Sequence, residues 1–188
     1  APVQLQQRQA MVSRQIQANG VTYNVYADPE GADRPWELDL LPNLLPAAEW
    51  QAIAAGVAQR AGLLDKVLAD LYGPQHLLAE GLLPAELVFG QDGFLWPCQG
   101  VQPPDSTYLH LYAVDLARSA DGQWRVIADR TQAPAGAGFA LENRQIISRA
   151  FPELYRDLGV QHLAAFFRTL QDTCLLYTSD AADDSLRV

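Results

Sequence analysis

Apolar residues recur at helical spacing between Pro46 and Gly73. Trp50, Ile53, Val57, Leu64, Val67, Leu68 and Leu71 fall on one side of PAAEWQAIAAGVAQRAGLLDKVLADLYG. The pattern predicts one long helix, weakened but not broken by Gly56 and Gly62 and ended by Gly73-Pro74. Ahead of it, Leu5 to Asn19 read as a polar, Gln-rich helix stopped by Asn19-Gly20. VTYNVYA, from Val21 to Ala27, alternates like a short strand and runs into the turn signal Asp28-Pro29-Glu30-Gly31. Arg34 to Pro46 is irregular, because Pro35, Pro42 and Pro46 limit helix there. PQHLLAEG predicts a short helix, PAELVFG a further short helix or turn, and GFLWPCQGVQPP a loop.

The second half changes period. Tyr108 to Arg118 and Gln123 to Arg130 read as two strands, and Asp121-Gly122 between them is a hairpin turn. Both faces of the first strand carry apolar residues, which predicts an inner sheet element. Ala140 to Leu158 and Val160 to Leu170 then read as two helices separated by Gly159, with Pro152 opening or kinking a turn. The fold class is α+β: a helical first half, a β-hairpin, a Gly-rich loop and terminal helices.

Composition narrows the function. A chain of 188 residues that is 49% hydrophobic suggests one domain with a core of its own. The net charge of −9 argues against sequence-independent nucleic-acid binding, which needs a basic face. The apolar runs are too short and too interrupted to span a membrane. Two cysteines, Cys98 and Cys174, make no disulfide framework or zinc spacing, and the simplest setting is reducing and cytoplasmic. The single lysine, Lys66, reads as part of a solvated helix face beside Asp65 and Asp70. His76, His110 and His162 read as ordinary helix and sheet residues.

The chemistry concentrates in DRTQAPAGAGFALENR, Asp129 to Arg144. A strand end feeds a small-residue loop, and a helix start follows. Gly136 and Gly138 let backbone N–H groups approach phosphate oxygens closely. Asp129, Glu142 and Asn143 carry the oxygen ligands that Mg²⁺ prefers. Glu142 and Asn143 are adjacent, and the sequence leaves open which of them ligates. Arg130 and Arg144 suit a bidentate phosphate clamp, or ion pairs with Asp129 and Glu142. Asp115 is a second candidate ligand, expected near Asp129 across the hairpin. The plain alternative is a strand–loop–helix connection with a surface Gly-rich turn.

This segment closely resembles one in the circularly permuted ATP-grasp type 2 family, grouped with glutathionylspermidine synthetase-like ligases. GVTYNVYADPEGADRPWELDLLP (Gly20 to Pro42), LADLYGPQ (Leu68 to Gln75), LLPAELVFG (Leu82 to Gly90) and YLHLYAVDLAR (Tyr108 to Arg118) resemble the same family in the same order. The resemblance covers roughly residues 10 to 172. Ala135 departs from it, because the family usually has Ser there. The resemblance implies a partial ATP-grasp-like fold and an ATP-dependent carboxylate–amine or carboxylate–thiol ligase that works through an acyl-phosphate. It implies ATP and Mg²⁺ as cofactors, and small-molecule or peptide carboxylates and amines as substrates. In that scheme Asp129, Glu142 and Asn143 face the metal, and Thr131, Gly136 and Gly138 the nucleotide. Arg130 and Arg144 face the transferring phosphate. A non-enzymatic interaction or substrate-docking module is the alternative.

CLLYTSDAAD, Cys174 to Asp183, resembles translated sequencing adapter. Residues 1–173 are therefore expected to be the N-terminal portion of an ATP-grasp domain, and 174–188 a non-native tail. The rest of the site, including further phosphate-binding lysines, is expected in a missing C-terminal part of the same chain. The isolated fragment is expected to be inactive.

Overall fold

The computed structural model describes residues 2–23, 34–132 and 134–184. The chain divides into two compact units. One joins Ala1–Leu44 to Ala135–Val188, and the other is Leu45–Pro134.

The first unit is built on two helices, α1 (Pro2–Ala18) and α5 (Ala137–Ala150). Val12 and Ile16 on α1, and Ile146 and Ala150 on α5, each stand four residues apart and so share a helix face. With Leu40 they form the buried core, flanked by Met11, Val21, Trp36, Leu38 and Phe151. The expected stop after Asn19 is a Schellman cap. Gly20 takes φ +65°, its N–H donates to Gln17 O at 3.1 Å, and the Val21 N–H donates to Ile16 O at 3.2 Å. Beyond the cap, β1 (Thr22–Tyr23) pairs antiparallel with β2 (Arg34–Pro35). The remainder of the expected VTYNVYA strand and its turn lie outside the described residues.

The helix expected over Ala140 to Leu158 is two helices. Phe151 leaves helical backbone at φ −135°, and Pro152 sits at the start of α6 (Pro152–Asp157). Proline suits a first helical position because its missing N–H would have had no helical partner there. The last helix, α7 (Ala164–Asp184), starts later than expected and passes Cys174 without a break.

The second unit hangs on α2 (Ala47–Leu71), which is continuous through Gly56 and Gly62. Asp70 near its end caps α3 (His76–Ala79): its carboxylate accepts the backbone N–H groups of His76 and Leu77, both at 2.9 Å. Then come α4 (Ala85–Phe89) and a single 3₁₀ turn, Trp96–Cys98. Tyr72, Phe89, Phe94 and Trp96 stack around this turn with ring centroids 4.8–5.1 Å apart.

Strands β3 (Ala113–Arg118) and β4 (Trp124–Arg130) form a two-stranded antiparallel hairpin, not the inner sheet element expected. Its turn is as read: Gly122 has φ +82°, and Asp121 accepts the Gln123 N–H at 3.0 Å. One residue is extra. Leu116 pairs with Val126 and Asp115 with Ala128, so Ile127 bulges from the ladder. A bulge resets the alternation of side chains. Val114, Leu116 and Arg118 share one face with Asp129, Val126 and Trp124, their partners. Among the described residues, no helix is long and apolar enough to cross a membrane.

Candidate functional site

The sequence-predicted residues fall in both units. Asp129, Arg130 and Thr131 belong to the second, and Gly136, Gly138, Glu142, Asn143 and Arg144 to the first.

Asp129 stands near the end of β4, on the hairpin face that looks to α2. Arg60 of α2 donates Nε–H to its Oδ1 at 2.6 Å and Nη2–H to its Oδ2 at 2.7 Å. The Tyr112 hydroxyl donates to Oδ1 at 2.5 Å. These bonds, Arg60 first and Tyr112 next, hold the carboxyl down at about 2, below its usual 3.8. Burial, and then the bond and charge of Asp129, push the Tyr112 phenol up. The Arg60–Asp129 hydrogen bonds raise Arg60 further above its already high value.

The same hairpin face has a second attachment to α2. Trp124 donates its indole N–H to Glu49 Oε1 at 2.5 Å, and Arg118 pairs with Glu49 at 3.3 Å. Further along α2, Asp65 Oδ1 accepts the backbone N–H groups of Tyr108 and Leu109 at 2.7 and 2.8 Å.

Arg130 is on the opposite face of the hairpin. It donates to Asp115 Oδ2 through Nε–H at 3.1 Å and Nη2–H at 2.7 Å. Asp115 is therefore not placed with Asp129 as expected. It lies opposite Ala128, while Asp129 lies opposite Val114. Thr131 is exposed just past β4.

In the first unit, Gly136 caps α5. Its φ of 122° is a backbone that favours glycine, and its carbonyl accepts the Ala140 N–H at 2.9 Å. The N–H groups of Ala137, Gly138 and Phe139 precede the helical ladder, so they form the donor end of the helix. Both Gly136 and Gly138 are exposed. Asn19 donates its side-chain amide to Glu142 Oε1. Trp36 donates its indole N–H to Asn143 Oδ1 at 2.8 Å. The Arg144 guanidinium lies 6.0 Å from the Tyr155 ring centroid. Asn143 and Arg144 line a cavity of about 320 Å³ with Asp39, Asn43 and apolar side chains that include Leu38, Ile147, Leu154 and Leu163.

These residues do not fit Mg²⁺ as they stand. The expectation that Asp129, Glu142 and Asn143 act as ligands meets three side chains already in use: both oxygens of Asp129, Oε1 of Glu142 and Oδ1 of Asn143 accept protein donors. Among the described residues of either unit, no three His, Cys, Asp or Glu side chains converge. No step below runs through a metal.

Sequence reading missed Arg60 and Tyr112, the groups that hold Asp129. Both lay inside segments assigned to helix or strand packing, and Arg60 is 69 residues from its partner.

Residues 42–188 match the circularly permuted ATP-grasp type 2 family, through the long helix, the hairpin and the Gly-rich loop. The chain belongs to this family. Relatives extend the match. An uncharacterized protein of Mycobacterium tuberculosis is 37% identical over 192 residues, covering 98% of this chain and 22% of the relative. An uncharacterized protein of Synechocystis is 35% identical over 156 residues, covering 83% of this chain and 32% of the relative. One from Mycobacterium leprae is 33% identical over 152 residues, covering 81% and 26%. The ATP-grasp chain thus spans between 22% and 32% of the length of these curated relatives. Its family fold is that of ATP-dependent ligases, which generally bind ATP with Mg²⁺.

Proposed function

We propose that this chain is part of an ATP-dependent ligase that joins a carboxylate to an amine or a thiol, in the manner of glutathionylspermidine synthetase-like enzymes. The family match over residues 42–188 carries the reading. The substrate carboxylate oxygen attacks the γ-phosphorus of ATP, the bond to the ADP oxygen breaks, and an acyl-phosphate forms. The amine nitrogen then attacks the acyl carbon. Phosphate leaves with the C–O bond electrons, and the nitrogen loses a proton.

This chain supplies part of the phosphate-binding surface. The Gly136–Gly138 loop presents the first N–H groups of α5, where the helix dipole favours an anion. In the other unit, Thr131 is exposed and suits a nucleotide contact of its own. Arg144 brings a cation to a cavity otherwise lined largely by apolar groups, and suits a substrate carboxylate or phosphate there. The remaining contacts come from the longer polypeptide, and the fragment alone turns over nothing. We place the enzyme in the cytoplasm.

Gly138→Ala in the complete protein tests this. An added Cβ at Gly138 meets nothing within 4 Å, so the fold accepts it. If the loop wraps phosphate, the methyl group displaces the nucleotide, and amine-dependent ADP release falls about tenfold or more. Unchanged turnover, or phosphoryl transfer to a hydroxyl without an amine, overturns the reading.

One observation favours a second reading, that the chain serves as a docking module. Leu63, Leu82, Leu87, Leu95 and Trp96 of the second unit are each more than half exposed. Apolar surface of this kind suits cover by further polypeptide.

A further inference from the structure

The hairpin β3–β4 carries two carboxylates, and an arginine holds each. Asp115 is taken by Arg130 on the outer face, and Asp129 by Arg60 and Tyr112 on the face toward α2. Asp129 reaches that face only because Ile127 bulges. Were Ile127 paired in regular alternation, Asp129 would face outward from Trp124. The arrangement has a matching length on the helix. Glu49 and Arg60 are eleven residues apart, three turns, and therefore on one side of α2 at about 16 Å. Trp124 and Asp129 are five residues apart, also about 16 Å along an extended strand. β4 is thus attached to α2 at both ends.

The Asp129 carboxylate receives three donors, and a full positive charge already balances it. Mg²⁺ demands near-octahedral oxygen at about 2.0–2.1 Å, and the Arg60 fork occupies the edge it would need. We propose that Asp129 is a positioning residue: with Arg60 and Tyr112 it clasps the end of β4 to α2, and it ligates no cation. Arg60 stands where a cation would. This goes beyond the ligase reading and does not depend on it.

The clasp has a consequence that a purely structural ion pair would not test. Removing Arg60 while keeping Asp129 leaves a carboxylate bonded by the Tyr112 hydroxyl but with its charge uncompensated, which then attracts a divalent ion. The experiment is a Mn²⁺ titration of the 188-residue chain followed by electron paramagnetic resonance, with urea denaturation in parallel. Wild type and Asp129→Asn should take up Mn²⁺ alike. Arg60→Gln should bind more than either, and Arg60→Gln with Asp129→Asn should lose that gain. Arg60→Lys, which keeps the charge, should show no gain. In urea, the two single substitutions should each lower the midpoint, and the double should lower it less than their sum. Should Arg60→Gln fail to fold, a cycle of Tyr112→Phe and Asp129→Asn measures the other arm of the clasp, the Tyr112–Asp129 bond, through the milder change. Saturable Mn²⁺ binding by the wild type that Asp129→Asn abolishes overturns the proposal, as do additive midpoint shifts.

Discussion

Trp124 and Asp129 stand an odd number of residues apart in one strand and yet share a face, because Ile127 is the extra residue between them. Both then bond to α2, Trp124 to Glu49 and Asp129 to Arg60. Deleting Ile127 leaves four positions from Trp124 to Asp129, so strict alternation keeps both on the face toward α2 and removes only the bulge. The deletion should therefore preserve the coupling between Arg60 and Asp129 while leaving Trp124 at Glu49. A double-substitution cycle of Arg60→Gln and Asp129→Asn, run in the deleted background, checks this. Coupling about as strong as in the intact chain is expected there. Additive effects would mean that the face of Asp129 is not set by its pairing with Val114.

The clasp also fixes a pH range. Asp129 titrates at about 2 in the folded chain, against an ordinary 3.8. A lowered carboxyl stabilises the fold fully above its unfolded value, and that contribution is lost as pH falls from 3.8 towards 2. Tyr112 is shifted the other way, above its ordinary 10.0. Its contribution is complete below that value and is lost as pH rises through the folded one. Asp105, Asp121 and Glu153 are also lowered, so other groups steepen the acid side. The diagnostic is a difference of two melting curves. Wild type minus Arg60→Gln should be flat from about pH 5 to 9 and shrink on the acid side as Asp129 takes up its proton, but not on the alkaline side, because Arg60 itself lowers Tyr112. A difference that stays constant down to pH 2 would show that Asp129 is not the group responsible.

How much of this the sequence announced depends on how local each signal is. The long helix α2, its end at Gly73, the Asp121-Gly122 turn and the cap at Gly20 all follow from nearby residues, and all are present. The break at Phe151–Pro152 was half legible, since proline marks either a kink or a new start. The bulge was not. Ile127 is an ordinary strand residue, and only the partner strand reveals that it is unpaired. The site followed the same rule. Asp129 was conspicuous as a carboxylate at a strand end, but its role depends on Arg60, which arrives from another element. The one sequence signal for that pairing was the match between an eleven-residue helical spacing and a five-residue strand spacing.

Asn143 illustrates a candidate ligand that the fold already uses. Its Oδ1 accepts the Trp36 indole N–H, and Trp36 stacks against Phe139 with ring centroids 4.6 Å apart. Asn143→Ala removes the hydrogen bond from the part-buried indole N–H to Asn143 Oδ1, which costs about 1 kcal/mol. Trp36→Phe removes that donor, so adding Asn143→Ala to it should cost little more. Urea denaturation of the four chains reads the cycle. If Asn143→Ala leaves stability untouched, the bond contributes nothing, and a purely functional role for Asn143 becomes the better account.

Gly136 and Gly138 are two residues apart, one at the N-cap of α5 and one in its first turn, and the backbone assigns them opposite responses to a methyl group. At Gly136, φ is 122°, a conformation an L side chain rarely adopts, and nothing lies within 4 Å of an added Cβ. Gly136→Ala therefore suffers from backbone strain and not from a clash, at about 1–3 kcal/mol. Gly138 has no such φ and lies in the first turn of α5, again with open space. There alanine lowers the entropy of the unfolded chain and should stabilise by about 0.5–1 kcal/mol. Thermal melts of the two variants should move in opposite directions. That opposition separates fold from function, because a glycine kept at position 138 against its own stability needs a reason outside the fold. A phosphate group approaching the α5 N-terminus is such a reason. A Gly138→Ala chain that is both more stable and unchanged in nucleotide-dependent turnover would remove it.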